Sequence, residues 1–200
     1  MLRRFSTHIA RAAALSLVLL ARAESADIYS QDTEAQRTLN GFIDKTSVGG
    51  STDVAFLKLD DVRGSSTTAT NPNEIPVLFA RNFISLAPGA SGTTAVGRAV
   101  PADYFLAIPV DVSTPVLAQA AASGKSFQRA QITFWRPDKG ELRIYSVVIL
   151  TDVLVSYYLS TSTPVHANPH VAIIGLRFGT AEWSVGTTKA GYDFRSAKNL

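Results

Sequence analysis

The stretch that most constrains this chain is Ala102 to Arg136, which has the pattern of a strand, a short helix and a second strand. Residues 102–113 are rich in aromatic and branched side chains, as a strand requires. Residues 126–136 alternate apolar and polar side chains, which is the period of a strand with one buried face. The helix between them is short, a length that suits closing the end of a sheet or barrel.

The helix in the middle of this stretch carries signals at both ends. Thr114 is the predicted N-cap, and Pro115 follows at the first helical position, where its missing N–H costs nothing. Gly124 is placed to supply a left-handed C-cap. Helical spacing puts four apolar side chains on one face, which is predicted to lie in the core: Val116, Leu117, Ala120 and Ala121.

Composition narrows the classes of function. The 200 residues include no cysteine, so disulfides, thiolate nucleophiles and cysteine-ligated metals are excluded. The net charge is +3, but four arginines fall in the first 25 residues. The remaining chain balances its basic and acidic residues, so it offers no basic face and no nucleic-acid partner is predicted.

The first 25 residues are typical of a signal peptide. Arg3, Arg4 and Arg11 precede the apolar run of residues 12–21. That run is too short to span a bilayer but suits the core of a secretory leader. The protein is then exported, to the periplasm or beyond the cell. The alternatives are a misassigned start or an amphipathic N-terminal helix, in which case the protein is cytoplasmic until secreted.

The rest of the chain divides into a tether and one domain. Residues 26–52 are polar and weakly patterned, and are predicted to be a flexible tether in which residues 32–39 could form a helical turn or two. Residues 53–200 alternate strands and turns around the short helix. This pattern predicts a mostly β domain, a closed or nearly closed β-barrel of two antiparallel sheets with one short α-helix. No further apolar run requires stable membrane insertion.

Two features of this domain stand out. The stretch from Leu142 to Tyr158 is the most apolar, and is predicted to be a buried strand that bends near Asp152. The tail from Gly186 is polar and is left without a predicted strand.

A long loop is predicted between Leu86 and Val100. It is rich in Gly, Ala, Ser and Thr, with little apolar content to pack on its own domain. Structureless loops of this length inside a compact domain usually have a function. We expect a binding loop or an arm that orders on a neighbouring subunit. The subunit-interface candidates are Leu86, Ala87, Pro88, Gly89, Thr93, Thr94, Val96 and Arg98.

Motifs for catalysis or ligand binding are weak in this sequence. It contains no G-x-S-x-G, P-loop, G-x-G-x-x-G or H-E-x-x-H pattern. His166 and His170 have the spacing of metal ligands on a helix, but the Asn-Pro between them forbids a regular helix there. No catalytic residue, metal or cofactor is predicted, and the protein is expected not to be an enzyme. A small hydrolase with an unrecognised site is the remaining enzymatic alternative.

The order of these segments resembles the haemolysin-coregulated protein (Hcp) family, which forms the inner tube of type VI secretion. Ala55–Ser65 resembles that family's first strand and turn, with its Lys between apolar residues, its Asp and its Gly. Ser113–Phe127 resembles the family's helix, and Tyr145–Ser156 resembles its late strand pair. The resemblance extends over residues 53–198.

The resemblance implies a structural role. Members of that family form a β-barrel subunit of a homo-oligomeric ring, here expected to be a hexamer, and rings stack into a tube that carries small effectors in its lumen. The expected partners are therefore further copies of the chain, a spike protein and small effector proteins. The leader departs from the family's pattern, because its members are usually loaded from the cytoplasm. The alternative is an exported binding module on the same barrel, without tube function.

The leader hypothesis predicts a processed N-terminus. Ala21 and Ala23, or Ala23 and Ser25, are small residues with the spacing that signal peptidase requires before its cleavage site. N-terminal sequencing of protein recovered from the periplasm or the medium should therefore begin at Glu24 or Ala26. Recovery of cytoplasmic protein alone, intact at Met1 or starting near Val54, would contradict it.

Overall fold

The computed structural model describes residues 33–38, 40, 54–88, 96–162 and 170–200. Residues 33–38 are helical, which confirms the predicted helical turn, and Thr114–Ser123 forms a ten-residue helix, α1. The other regular elements of this part are strands: β1 (Val54–Leu59), β2 (Ile75–Val77), β3 (Phe79–Arg81), β4 (Ile84–Pro88), β5 (Val96–Pro101), β6 (Tyr104–Pro109), β7 (Ser126–Asp138), β8 (Glu141–Ser162), β9 (His170–Arg177), β10 (Thr180–Val185), β11 (Thr188–Asp193) and β12 (Lys198–Asn199).

The strands form two antiparallel sheets, so the predicted mostly β architecture is confirmed. One path through the larger sheet runs β12-β11-β10-β8-β7-β1-β2, and β8 also pairs with β9, which leads through β6 to β3. β4 and β5 make a separate two-stranded sheet. β2 and β3 are separated by Leu78 alone, yet β2 pairs with β1 and β3 with β6. The partner changes at Leu78, and no closed barrel is found among the described strands.

β8 holds the larger sheet together because it pairs with three strands: β7 on one side, and β10 followed by β9 on the other. Up to Thr151 it lies between β7 and β10, and from Leu154 onward it pairs with β9. Asp152 sits at the change with φ 52°, a left-handed conformation. The predicted bend near this residue is therefore confirmed. The aspartate is not buried, since 58% of its side chain is exposed, and it forms an ion pair with Arg195.

The core lies on the inner side of the larger sheet. α1 contributes Leu117 and Ala120 to it. Alternate residues of β1, β7 and β9 supply it, including Leu57, Ile132 and Ile174, all with no exposed surface. β6 and β9 are buried on both faces, because every second residue of each strand also joins a separate apolar cluster on the outer side of the sheet. Both strands are therefore continuous apolar runs in the sequence.

The helix differs in two details from the sequence prediction. The N-cap is Ser113, not Thr114, and Thr114 is already helical and buried. Asp111 fixes this end: its Oδ1 accepts from the Ser113 N–H at 2.8 Å, and its Oδ2 accepts from the Ser65 N–H at 2.9 Å. Gly124 is left-handed with φ 68°, as predicted.

The buried face of α1 is narrower than the four predicted residues. Leu117 and Ala120 have almost no exposed surface, and Ala121 is partly buried against the core. Val116 is 39% exposed. It precedes Leu117 by one position, which turns it by about 100° on a helix, away from the face that meets β8.

Two further segments contain strands that the sequence does not predict. The tail beyond Gly186 forms β11 and β12, and Phe194 is buried among the rings of Phe178, Trp183 and Tyr192. The predicted loop between Leu86 and Val100 begins and ends in strand, since β4 and β5 pair with each other. Both segments have few apolar residues. Each forms a strand because a neighbouring strand pairs with its backbone.

The position of α1 gives a matched pair of substitutions. Leu117→Asp places an unpaired charge in the core, so we expect at least about 4 kcal/mol loss in the free energy of unfolding. Val116→Asp adds the same charge on the exposed side of the first turn, where the helix dipole favours it, and should cost less than about 1 kcal/mol. Urea denaturation of both variants is the measurement. Equal losses would show that the helix does not close the core.

Candidate subunit interface

The two-stranded sheet of β4 and β5 is an arm that continues the β3–β6 ladder. β3 and β6 pair from Phe79↔Ala107 to Arg81↔Phe105. The Ala102 N–H then donates to the Phe83 carbonyl at 2.8 Å, and the pairing resumes in the arm. The arm is therefore a β-ribbon extension of the main sheet, attached through two chain segments at its base.

The described part of the arm and its base exposes large apolar side chains. Leu86 is 64% exposed, and Phe83, Ile84 and Val100 are between 41% and 58% exposed. Ile84 and Leu86 are two residues apart on β4, so they lie on one face, while Val100 opposes Ser85 on the other. Apolar residues on both faces of a projecting ribbon are a feature of interaction surfaces.

The base of the arm is fixed to the main sheet by Asp103. This residue lies between β5 and β6, and 8% of its side chain is exposed. Its Oδ1 accepts from Arg177 Nε at 3.0 Å, and its Oδ2 accepts from Ser156 Oγ at 2.5 Å. Ser156 belongs to β8 and Arg177 to β9. One carboxylate therefore ties the root of the arm to both strands on which the larger sheet depends.

Tyr104 follows Asp103 in the chain, and the pKa of its hydroxyl is raised. It is 7% exposed and belongs to the core. Burial raises the pKa of its hydroxyl from 10.0 to about 12, and the neighbouring Tyr145 adds to the shift, because two phenolates would repel each other.

The structure describes five of the eight predicted interface residues. Leu86 is on β4 with its side chain exposed. Ala87, Pro88, Val96 and Arg98 belong to the backbone of β4 and β5. Gly89, Thr93 and Thr94 lie outside the described residues.

Sequence reasoning missed Phe83, Ile84 and Val100, which lie on either side of the predicted loop. The available signal was the alternation of Ile84 and Leu86, which is the period of a strand face.

Other kinds of site find no support in the described part of the chain. It contains no group of three or more His, Asp or Glu side chains that could hold a metal ion. His170 is exposed at the start of β9, and His166 lies outside the described residues. None of the described helices is long and apolar enough to cross a membrane.

Comparisons with known proteins give one consistent answer. The model of the family described as "Type VI secretion system effector, Hcp" matches residues 56–185. No curated protein matches the chain.

Solved structures share the fold at low sequence identity. Hcp1 from Salmonella typhimurium is 23% identical with a TM-score of 0.66, and the match covers 75% of this chain and 100% of that one. Hcp1 from E. coli EAEC 042 is 19% identical with a TM-score of 0.61, covering 71% and 97%. The secreted protein Hcp3 from Pseudomonas aeruginosa is 13% identical with a TM-score of 0.52, covering 70% and 98%.

The raised pKa of Tyr104 predicts a loss of stability in alkali. Its folded pKa of about 12 exceeds the ordinary 10.0, so the neutral phenol stabilises the fold fully below pH 10, and this contribution falls as the pH rises from 10 to 12. The full contribution is about 2–3 kcal/mol. Tyr104→Phe cannot ionise and should lose less stability over that window. Denaturant melts at pH 9, 10 and 11 measure this, and parallel losses in both proteins would contradict the assignment.

Proposed function

The chain belongs to the Hcp family of type VI secretion proteins, and we propose that it is the structural subunit of a homo-oligomeric ring. We propose six subunits per ring and stacking of rings into a tube. The observation that carries the proposal is the arm, which presents Leu86 and its apolar neighbours to solvent in the single chain. Burial of such side chains between subunits supplies the free energy of association.

The geometry of the arm suits a repeating contact. In the proposed ring, the arm of one subunit contacts a different surface of its neighbour. A contact of this kind is heterologous, and it closes into a ring when the rotation between subunits divides a full turn. The Asp103 contacts tie the root of the arm to β8 and β9, which supports a contact that repeats in the same way from subunit to subunit.

The proposal also includes how the protein is exported and what the ring carries. We propose that residues 1–25 are removed as a signal peptide, that residues 26–52 tether the N-terminus on either side of the packed helical segment 33–38, and that residues 53–200 form the ring-building domain. Small effector proteins in the ring lumen and a spike protein at the end of the tube are the further proposed partners. No catalytic role is proposed.

The arm can be tested without disturbing the core. Leu86→Asp replaces an exposed apolar side chain, so the fold should be unchanged by circular dichroism and thermal melting. Association should weaken at least tenfold in light scattering coupled to size exclusion, because the charge must be desolvated in the contact. Val112→Asp is the matched control: Val112 is also 64% exposed, but it lies beyond the opposite end of β6.

Three outcomes decide the proposal. A discrete assembly in the unaltered protein that is lost in Leu86→Asp and kept in Val112→Asp supports an arm-mediated ring. Equal association of both variants would remove the arm from the interface. A strict monomer in the unaltered protein at high concentration would contradict the ring and leave the exported binding module as the function.

A further inference from the structure

The helical segment of residues 33–38, here called the cover, lies on the outer face of the larger sheet. Ala35 and Thr38 have no exposed surface. The face beneath the cover is built by β3, β6, β8 and β9. Ala35 belongs to one apolar cluster with the four buried residues of this face: Phe105, Ala107, Val171 and Ile173.

An ion pair adds a polar contact at the edge of this face. Glu34 Oε2 of the cover lies 3.4 Å from Arg81 Nε, at the end of β3, and Glu34 also pairs with Arg37 within the cover. The Thr38 hydroxyl donates to the Glu34 carbonyl at 2.9 Å, so its buried oxygen has a partner inside the helical turn. The cover therefore adds to the face the buried side chain of Ala35 and one partly exposed charge pair.

The face itself carries aromatic rings packed beside a glycine. The rings of Phe105 and Tyr157 meet edge to face at 5.9 Å beside Gly175. A Cβ at Gly175 would come within 3.0 Å of the Tyr157 Cβ and 3.2 Å of Phe105 Cε1, so only glycine leaves room for both rings. The face carries further partly buried apolar residues at its margin: Leu78, Phe79, Tyr157 and Leu159.

Two observations indicate what else this face can receive. The cover precedes the family match, which begins at residue 56, so the face belongs to the family domain and the cover does not. The strands of the face also run directly into the arm, β3 into β4 and β5 into β6. The covered face is therefore continuous with the surface through which we propose that subunits associate.

We propose that residues 33–38 are a built-in cover, and that a second copy of the chain docks on this face when the cover is displaced. This inference rests on the self-association proposed above and adds the location of the neighbour and the control of its access. A covered face keeps a newly exported subunit from associating through exposed apolar surface. A neighbour that brings a larger apolar area than Ala35 and Thr38 displaces the cover by mass action.

The test compares two substitutions within the cover of the full chain. Ala35→Glu buries a charge under the cover and should displace it. Gln36→Glu adds the same charge at the adjacent exposed position and should leave the cover seated. Mass is measured by light scattering over a concentration series. We expect Ala35→Glu to reach the mass of the normal assembly at a concentration at least tenfold lower than the unaltered protein, and Gln36→Glu to follow the unaltered protein.

The outcomes separate this inference from the proposed function. If the unaltered protein assembles and Ala35→Glu assembles equally or more weakly, the cover does not compete for the face, and the ring proposal stands. If no form assembles at any concentration, both proposals fail. Open-ended aggregation of Ala35→Glu, in place of a discrete mass, also counts against docking of a second copy.

A second substitution tests the same contact without the risk that a buried charge misfolds the protein. Glu34→Gln removes the ion pair with Arg81 without burying a charge, and should shift association in the same direction by a smaller factor. No shift in Glu34→Gln, together with an altered circular dichroism spectrum in Ala35→Glu, would overturn the inference.

Discussion

The fold depends on the change of hydrogen-bonding partner in the middle of β8. At Thr151 this strand still pairs with both β7 and β10, and three residues later it pairs with β9. The change requires a left-handed residue at Asp152, which costs roughly 1–2 kcal/mol for a side chain other than glycine. The cost is offset because the strand continues and stays paired on both sides of the change. One backbone thereby connects the part of the sheet formed by β10, β11 and β12 with the part formed by β9, β6 and β3.

The continuous apolar strands could be predicted from the sequence, because their signal is local. The helix between Thr114 and Gly124 has its proline, its glycine and its spaced apolar residues within a dozen positions. The bend at Asp152 could also be placed, since a carboxylate inside an apolar run marks a point where the run cannot remain buried. The same local information misled at Val116, because neighbouring apolar residues of a helix lie about 100° apart and both cannot face one sheet.

The features that could not be predicted depend on contacts between distant segments. Nothing in residues 75–81 says that Leu78 donates to Ala107 while Val77 pairs with Ala55. Phe194 lies in a polar tail, and its burial depends on the rings of Phe178, Trp183 and Tyr192. The arm was expected as a loop, because its strands pair with each other and leave most of their large apolar side chains exposed. The candidate interface could therefore be located by its length and composition, but not by the side chains that it exposes.

The connectivity of the sheet also determines the order in which the chain can fold. β7 and β8 are joined by Lys139 and Gly140, both with positive φ, so they form a local hairpin that closes within microseconds. The ladder between β6 and β9 joins Tyr104 to Leu176, and must await a segment more than sixty positions later. β6 therefore emerges from the ribosome long before its partner exists, and contacts of this sequence separation make folding slow. During that interval its apolar side chains are accessible to chaperones and to other unfolded chains.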